Sequence, residues 1–505
     1  MKKIYYLLVV LIAGLSACTT LDESPASFIS PDQFYKTAGD AVAAVNAAYY
    51  PITGNGDGNQ PIYNSLFNTG MAFMTDDENA GPGSPNPDAR AFGTLTQATT
   101  NLRIKEIWQQ HYAGINKANV ALDRIPGISF DQKLKNRLLG EARFLRALYY
   151  FDLVRIYGDV PLLLTDQTQV AVADLQVERT PKDQVYTQIV ADLDSAINLF
   201  HRGSTPEVGR ATEGASKSLL SKVYLTQRDW ANSLKLAEEV INGTYGYALF
   251  DTYSQVFLPA NKNGKEHIFS AQFKGTVSNA VTARDIMTGI PGLKGSYGDQ
   301  VTFYTVGNDK FYSIFKLYSA KDKRKRVSFT TSYTSPTNGK KYITLNVAGD
   351  SVPFFNKYWD PNYATTNLSE ANAPILRFAE ILLIHAESEN ELNGPTTKAY
   401  ASINKIRTRA GLPNLTTGLT QDQFRDSVYL ERRLELVGEY QRYFDLIRET
   451  GTEVTGVGPL GKGILLKALN LVGKTNVAAK HYLYPIPQTE IDRNPKLTQN
   501  AGWTK

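Results

Sequence analysis

The sequence predicts a mainly α-helical protein: a superhelix of TPR-like helical hairpins, interrupted by a loop-rich insertion that contains short β-strands. The chain has 505 residues, more than the roughly 250–300 residues that one hydrophobic core supports. Its long segments repeat apolar residues every three or four positions, as amphipathic helices do. Residues 243–373 lack that period and carry short alternating runs such as EHIFSAQF and KKYITLNV, which favour strands.

The N-terminus has the pattern of a bacterial export signal. Two lysines precede an apolar run, Ile4 to Gly14, that is too short to span a bilayer. The Leu-Ser-Ala-Cys that follows resembles a lipobox, in which Cys18 is acylated and becomes the mature N-terminus. The predicted division is a signal peptide over 1–17, a lipidated tether over 18–30 and a single domain over 31–505.

The central helix of the domain is predicted within Gly140 to Leu164. Apolar residues cover more than half of its circumference, so other helices must pack around it. Gly158 can form a left-handed C-cap, and Pro161 forbids continuation of the helix. The charged residues fall three or four positions apart, which predicts a solvated stripe of pairs along the helix.

Two helical hairpins indicate the TPR-like packing. The first, Ala211 to Ile241, turns at Arg228-Asp229 and has the residue spacing of a tetratricopeptide unit. The second turns from Ile375 to Leu392 into Thr397 to Arg409. The last long helix is predicted from Gln421 to Thr450, with its charges paired along one face. The helical frame, as predicted, covers residues 31–50, 102–242 and 374–450.

Two stretches without helical periodicity, 51–101 and 243–373, are predicted to form loops on a ligand-binding face. The first is rich in Gly, Asn, Asp and Pro and far exceeds the usual connection of ~4–6 residues, and such loops are commonly functional or disordered. In the second, the basic run Lys321 to Arg326 is predicted to be a solvated turn. Residues 451–505 form the predicted C-terminal loop and tail.

Four stretches give the chain a resemblance to a known family. The run ARFLRALYYFDLVRIYGDVPL, Ala142 to Leu162, resembles the N-terminal signature of the SusD/RagB family of Bacteroidetes. Three later stretches are similar to the family's other marks. They are RFAEILLIHAESENELNG from Arg377, ERRLELVGEYQRYFDLIR from Glu431 and YPIPQTEIDRNPKLTQNAGW from Tyr484. Ala501 and Trp503 stand where the family usually has a proline and a tyrosine.

The resemblance implies a function. Family members are surface glycan-binding lipoproteins of nutrient-uptake systems. We therefore expect a lipid-anchored, surface-exposed outer-membrane protein that binds oligosaccharide or polysaccharide and delivers it to a SusC-like TonB-dependent transporter. The family implies neither a catalysed reaction nor a cofactor.

Sugar binding requires flat apolar faces with polar groups beside them. In the family the ligand contacts come from the early long loop and from the insertion, so we predict contacts in both. The predicted ligand-binding residues are Asp76, Asp77 and Arg90 in the early loop and Tyr297, Tyr304, Trp359 and Tyr363 in the insertion. Tyr363 lies in a polar loop and Trp359 directly precedes Asp360-Pro361, so these two are the best exposed candidates.

Other functions have weaker support in the sequence. The net charge of +5, or +3 once the two signal-peptide lysines are removed, is too small to indicate nucleic-acid binding. The five histidines show no metal-site spacing, and no metal or cofactor is predicted. Asp76, Asp77 and Glu78 leave a lipid-anchored glycoside hydrolase as an alternative, because that chemistry needs two carboxylates. A peptide-binding or scaffolding relative is a further alternative, and the sequence does not identify the ligand.

Overall fold

A computed structural model describes most of the chain. The described residues are 34–54, 60–80, 84, 86–167, 171–274, 301–303, 314–334, 338–343, 353–360, 369–449 and 464–504. The predicted signal peptide, Cys18 and the tether lie outside them.

Helices dominate the described part of the chain. The α-helices are α1 Ala38–Thr53, α2 Phe67–Thr69, α3 Pro87–Thr94, α4 Leu102–Arg124, α5 Gln132–Tyr157, α6 Lys182–His201, α7 Glu213–Gln227, α8 Trp230–Asn242, α9 Ile314–Leu317, α10 Arg324–Ser328, α11 Phe378–Asn393, α12 Thr397–Arg409, α13 Gln421–Glu435, α14 Arg442–Arg448, α15 Leu465–Leu471 and α16 Gln488–Arg493. A π-helical turn, Ile62–Leu66, precedes α2. Short 3₁₀ helices lie at Ile125–Gly127, Val172–Leu175, Tyr253–Phe257, Pro259–Asn261 and Ala479–Tyr482.

The long helices stack in sequence order, as a superhelix of hairpins does. Helix α4 packs on α5, α5 on α6, α6 on α7 and α7 on α8. Helix α11 then packs on α8, although the insertion separates the two in sequence, and α12 and α13 follow it. Both predicted hairpins are confirmed, with turns between α7 and α8 and between α11 and α12. Because each hairpin buries one face on its neighbour, the stack forms a continuous core.

Helix α5 is the centre of this stack, as predicted. Asp131 caps it, with the side chain accepting a hydrogen bond from the amide of Leu134 at 2.8 Å. The helix ends at Gly158, whose φ of 74° a glycine adopts without strain. Every residue from Phe144 to Tyr157 is buried. A helix buried all round must lie inside the molecule.

Within the described residues, the strands form four separate two-stranded antiparallel sheets. They are β1 Glu78–Ala80 with β3 Val301–Phe303, β2 His267–Ala271 with β8 Ala373–Arg377, β4 Phe329–Thr330 with β7 Phe354–Phe355, and β5 Ser332–Thr334 with β6 Lys341–Ile343. The predicted strands in EHIFSAQF and KKYITLNV are therefore present as β2 and β6. The β2–β8 sheet joins the start of the insertion to the residue before α11.

The prediction of a solvated charged stripe on the central helix is wrong. Arg146 and Asp152 are buried, and only Arg143 keeps substantial exposure. Arg146 binds Asp192 of α6 with two hydrogen bonds, at 2.8 and 2.7 Å. The i, i+3 and i, i+4 pattern is the same for a solvated stripe and for a buried seam between two helices, so the sequence alone does not distinguish them.

The prediction of one helix from Gln421 to Thr450 is also wrong. Helix α13 ends at Glu435 and α14 begins at Arg442, and the segment between them turns at Gly438, with a φ of 73°. A Cβ on Gly438 would lie 2.2 Å from the Phe355 ring. Position 438 therefore requires glycine, because of both its positive φ and the nearby Phe355 ring. The turn allows β7 of the insertion to pack against the frame.

Much of the early stretch 51–101 is buried or helical where the structure describes it. Every residue from Gly70 to Glu78 is buried, and α1, α2, α3 and the π-helical turn occupy other parts of the stretch. The buried amine of Lys474 donates to the carbonyl of Thr75 at 2.9 Å and also to that of Phe73. The absence of periodicity therefore reflects an irregular buried backbone, whose polar groups are satisfied by a distant lysine.

Candidate ligand-binding site

Three short strands next to predicted ligand-binding residues, and helix α3, which carries one of them, meet at one edge of the molecule. Strand β1 of the early stretch pairs with β3 of the insertion, with Glu78 opposite Phe303. Strand β3 packs on β7, and Trp359 follows β7 by four residues. Helix α3, which carries Arg90, packs on β1. The structure thus brings the Arg90 element and the Trp359 segment to the same small group of strands.

Trp359 forms an aromatic pair with Tyr333 of β5. Their ring centroids are 5.6 Å apart and the planes are inclined at 70°, an edge-to-face arrangement that adds to the burial of both rings. Both side chains are half-buried, so part of each ring stays accessible to a ligand. The sequence did not predict a role for Tyr333, because β5 lies far from residue 359 along the chain and no local pattern connects them.

Hydrogen bonds from the backbone hold the Trp359 segment in place. The amide of Asn356 donates to the carbonyl of Ser328 at 2.7 Å, and the amide of Trp359 donates to the carbonyl of Asn356 at 3.1 Å. Tyr358 is buried among Phe257 and Phe355. Trp359 therefore lies on a turn whose backbone is held by hydrogen bonds and whose neighbouring Tyr358 is packed in the interior.

Lys357 fastens this turn to the turn between α13 and α14. Its ammonium is buried and donates to the carbonyls of Val437 and Glu435 at 2.8 and 3.2 Å and to the carboxylate of Glu439. Burial lowers the pKa of Lys357, although Glu439 partly opposes that effect. A buried ammonium is tolerated only where all its donors are occupied, and here its partners hold the Trp359 segment on the frame.

A larger network of ion pairs surrounds Lys357. Arg377 donates to Glu439 at 2.7 Å and to Glu435 at 2.6 Å. Glu435 also accepts hydrogen bonds from Arg324, at 3.0 Å, and from Arg409. Glu266 pairs with Arg377 and Arg409 at 3.0 and 2.7 Å. We call these residues the insertion anchor: Glu266, Arg324, Lys357, Arg377, Arg409, Glu435 and Glu439.

The insertion anchor corrects the prediction for the basic run Lys321 to Arg326. Arg324 in that run is fully buried and pairs with Asp322, Glu431 and Glu435. The run is therefore solvated at Lys321, Lys323 and Arg326, as predicted, but not at Arg324. It supplies one of the cations that join the insertion to α13.

Asp76 and Asp77 occupy a second group of ion pairs. Asp76 accepts two hydrogen bonds from Arg442, both at 2.8 Å, and Asp77 accepts two from Arg433, at 2.9 and 2.6 Å. Each aspartate is only 2% exposed. Burial by itself raises the pKa of Asp76, but Arg433 and Arg442 outweigh it and hold that pKa below its usual range. We call these four residues the early anchor.

The early anchor changes the interpretation of the two aspartates. The sequence predicted direct hydrogen bonds from Asp76 and Asp77 to a ligand, which would require accessible carboxylates. In the structure both carboxylates face arginines inside the molecule. We therefore do not carry them forward as ligand contacts, and we assign them to the attachment of the early segment to α13 and α14.

Arg90 remains accessible. It is exposed on α3, and one of its guanidinium nitrogens donates to the carbonyl of Ser84. Asn86 caps this helix by accepting from the amide of Ala89 at 3.1 Å. The other predicted ligand-binding residues, Tyr297, Tyr304 and Tyr363, lie outside the described residues.

The described histidines and acids do not form a metal site. Within the described ranges, no group of three or more potential ligands could hold an ion. His385 is buried in α11, and its Nδ1 lies 2.9 Å from the hydroxyl of Ser402. No cofactor pocket can be assigned from these residues.

Comparisons with known proteins identify the family. A profile described as the SusD family matches residues 292–503, and a second profile, described as starch-binding and associating with the outer membrane, matches residues 65–225. The chain belongs to the SusD family. The predicted resemblance is thereby confirmed, and the two matches completely include all four stretches on which it rested.

Relatives of this SusD-family protein match it over nearly its whole length. SusD-like protein P2 of Formosa agariphila is 29% identical over 524 residues, covering 99% of both chains. The starch-binding protein SusD of Bacteroides thetaiotaomicron is 23% identical, covering 98% of both. The similarity thus extends through the helical frame and the insertion.

Solved structures of the family share the fold. A SusD superfamily protein of Parabacteroides distasonis superposes with a TM-score of 0.76 and 27% identity, covering 92% of this chain and 99% of the other. A laminarin-binding SusD-like protein gives a TM-score of 0.75 and 26% identity, covering 93% and 100%. The predicted fold class, a helical superhelix with a strand-containing insertion, is confirmed.

Proposed function

We propose that this SusD-family protein binds carbohydrate through the edge that carries Trp359 and Tyr333. The observation that carries the proposal is this half-buried aromatic pair on an anchored turn. Flat aromatic faces suit the C–H surfaces of pyranose rings, and a rigid platform loses little entropy on binding. Similar proteins described as starch-binding and laminarin-binding support a glucan as the first class of ligand to test.

Removal of the Trp359 ring tests this site. We expect Trp359→Ala to weaken binding of the best oligosaccharide by about 1–3 kcal/mol, the scale of a truncated aromatic hot spot. Trp359→Phe should retain much of the affinity, because it keeps an aromatic face. Calorimetric titration with laminari- and malto-oligosaccharides measures the affinities, and thermal melts check that each variant is folded.

Tyr50→Ala is a matched control for that experiment. Tyr50 is 47% exposed on α1, so its truncation also removes an accessible ring. It should leave glycan affinity unchanged. If Trp359→Ala and Tyr50→Ala both bind the oligosaccharide with wild-type affinity, the aromatic pair is not the binding surface. Tyr297, Tyr304 and Tyr363 then become the next residues to test.

We further propose that the protein is anchored by acylated Cys18 in the outer membrane, faces the cell surface and passes glycan to a SusC-like TonB-dependent transporter. The lipobox pattern and the family support this arrangement. Within the described ranges, no helix is long and apolar enough to cross a membrane. Co-purification of the transporter after mild detergent extraction tests the partnership.

Substitution of Cys18 tests the anchor. We expect Cys18→Ala to move the protein from the membrane to the soluble fraction, because ~0.8 kcal/mol of binding per buried CH₂ is lost with the acyl chains. Thermal melts of the released protein should match those of the wild type. Sedimentation of Cys18→Ala with outer membranes in a strain that lacks the transporter would contradict the proposed lipid attachment.

We propose no catalytic activity. Asp76 and Asp77, the carboxylates that raised the hydrolase alternative, are each held by an arginine in the early anchor. No described contact favours them as an acid and base pair. Incubation with polysaccharide and analysis for shortened products tests this directly.

A further inference from the structure

A cavity of about 320 Å³ lies within the helical frame. It is bounded by the end of α5, the start of α6, the end of α7, α14 and the C-terminal tail. Neither Trp359 nor Tyr333 lines it. Its volume is about twice the ~150 Å³ of an apolar cavity that holds one benzene molecule, so one or two fused rings would fit.

The interior of the cavity is lined by apolar side chains. Four of them are buried: Val154, Leu225, Phe444 and Ile447. Half-buried residues of the lining mark where the cavity opens, and they are Asp159, Arg179, Lys182 and Leu483. The cavity thus combines an apolar interior with a mouth that solvent reaches.

The buried charges of the wall are already paired. Arg432 and Lys222 bind Glu380 at 2.8 and 2.9 Å. Arg448 binds Glu387 at 2.6 Å. An anionic ligand would have to displace these carboxylates, and removing one partner of a buried ion pair is costly. The wall therefore favours an uncharged ligand.

Arg179 offers a flat surface at the mouth of the cavity. Its guanidinium donates to the carbonyls of Asp159, Tyr157 and Thr498, the hydroxyl of Thr498 and the side chain of Asn500, at 2.6–3.5 Å. The N–H donors of a guanidinium lie in one plane, so these contacts occupy its edge. Because Arg179 is still half-buried, its accessible surface is that of the planar face and the aliphatic stem. An aromatic ring stacks on such a face without a free N–H group.

The same wall already contains a stack of this kind. The guanidinium carbon of Arg155 lies 3.7 Å from the centre of the Phe444 ring and 3.8 Å from the centre of the Phe151 ring. Arg155 and Phe444 both line the cavity. A ligand ring on Arg179 would repeat this arrangement.

Tyr186 brings a free hydroxyl to the cavity. Its ring packs on Phe151, with centroids 6.5 Å apart and planes inclined at 67°. Among the described residues, its hydroxyl has no hydrogen-bond partner, and the oxygen keeps accessible surface. Burial raises the pKa of Tyr186, and the charge of Arg155 in the cavity wall opposes that rise. The hydroxyl can therefore donate to, or accept from, a polar substituent of a ligand.

We propose that this cavity binds a small phenol of one or two fused rings. The ring lies against Arg179 and the apolar interior, and the hydroxyl of the phenol bonds to Tyr186. An aliphatic alcohol would also reach Tyr186, but it would lack the attraction between a cation and an aromatic face. The site is separate from Trp359 and Tyr333, and the proposal does not depend on glycan binding there.

Binding of 2-naphthol tests the proposal. We expect it to bind saturably to the wild-type protein by calorimetry and to raise the melting temperature. Decahydro-2-naphthol is the matched ligand, because it keeps the two fused rings and the hydroxyl but has no aromatic face. It should bind about tenfold more weakly or worse. Equal affinity for the two ligands, or no saturable binding of 2-naphthol, would overturn the proposal.

Two tryptophan substitutions locate the binding. Leu225→Trp fills the interior of the cavity and Leu483→Trp narrows its mouth. Each should weaken 2-naphthol binding about tenfold or more, because a close-packed interior leaves no space for the ligand. Leu392→Trp, at an exposed position near the end of α11, is the control and should leave the affinity unchanged.

Thermal melts accompany these titrations. Wild-type affinity in both Leu225→Trp and Leu483→Trp would show that 2-naphthol binds elsewhere and would overturn the assignment to this cavity. If Leu225→Trp does not fold, Leu483→Trp decides the question, since Leu483 is half-buried and a larger side chain there has room to turn towards solvent.

Tyr186→Phe tests the hydrogen bond. It removes a hydroxyl without a partner among the described residues, so the variant should fold normally. It should bind 2-naphthol about threefold to tenfold more weakly, as expected for one lost hydrogen bond. Benzene, which has no hydroxyl, should bind the wild type and Tyr186→Phe equally. Unchanged affinity of Tyr186→Phe for 2-naphthol would overturn the proposed contact with Tyr186.

Discussion

The helical frame and the two anchors are both buried, but different interactions hold them together. In the frame, neighbours along the sequence pack through apolar side chains, with α5 buried from Phe144 to Tyr157. In the anchors, residues up to 366 positions apart meet as ion pairs, such as Asp76 with Arg442. The frame is thus assembled from consecutive hairpins, and the anchors attach irregular segments to it.

The two regions also differ in what a substitution should do. Apolar packing is lost gradually as buried area decreases. An ion pair is asymmetric, because removing one partner leaves the other charge buried without compensation. The segment from α13 to α14 supplies charges to both anchors, Glu435 and Glu439 to one and Arg433 and Arg442 to the other.

The largest effect is expected in the frame. Ala147→Arg places a long cation at a position of α5 that is 0% exposed, where helices pack closely. The cost of overpacking and of an unpaired buried charge should approach the whole stability of ~5–15 kcal/mol. We expect no cooperative thermal transition in circular dichroism.

Ala191→Arg is the matched control, since Ala191 is an exposed residue of α6. It should melt like the wild type. A normal melt for Ala147→Arg would contradict the central position of α5.

The next largest effect is expected in the insertion anchor. Glu435 is fully buried and accepts from Arg324, Arg377 and Arg409. Glu435→Gln preserves its shape but removes the charge, and breaking such a pair costs about 3–5 kcal/mol. Denaturant titration should show this loss. Glu207→Gln is the control, because it removes an exposed carboxylate 3.4 Å from Arg137. It should change the free energy of unfolding by less than ~0.5 kcal/mol. Equal unfolding midpoints for Glu435→Gln and Glu207→Gln would contradict a stabilising role of the insertion anchor.

A smaller, pH-dependent effect is expected at Glu380 of α11. Burial alone would raise its pKa, but Lys222 and Arg432 outweigh burial and lower the pKa from 4.5 to about 2. The folded pKa lies below the unfolded one, so the stabilisation is present above pH 4.5 and is lost as pH falls towards 2. At neutral pH, Glu380→Gln should cost about 3 kcal/mol.

Denaturant titrations from pH 6 to pH 3 measure this contribution. The stability difference between wild type and Glu380→Gln should narrow as the pH falls below about 4.5. A difference that stays constant over this range would mean that Glu380 does not stabilise the fold as a carboxylate paired with Lys222 and Arg432.

The sequence by itself determined the frame. The helical frame over residues 102–242 was predicted because amphipathic periodicity and the Gly158 stop are local signals that need no knowledge of the rest of the fold. The family was also determined by sequence, since its marks are short stretches of the chain. Trp359 was predicted as a ligand-binding residue for a similar reason, as an aromatic residue in a polar context.

Only the tertiary structure decided which charges are buried and which segments they hold. Asp76 and Asp77 looked like exposed loop acids, and Arg324 like a solvated basic residue, because a charge pattern has the same spacing in water and in the interior. Their partners Arg442, Arg433 and Glu435 lie more than a hundred positions away. Local periodicity indicates the secondary structure of a segment, whereas a long-range ion pair forms only once the whole chain has folded.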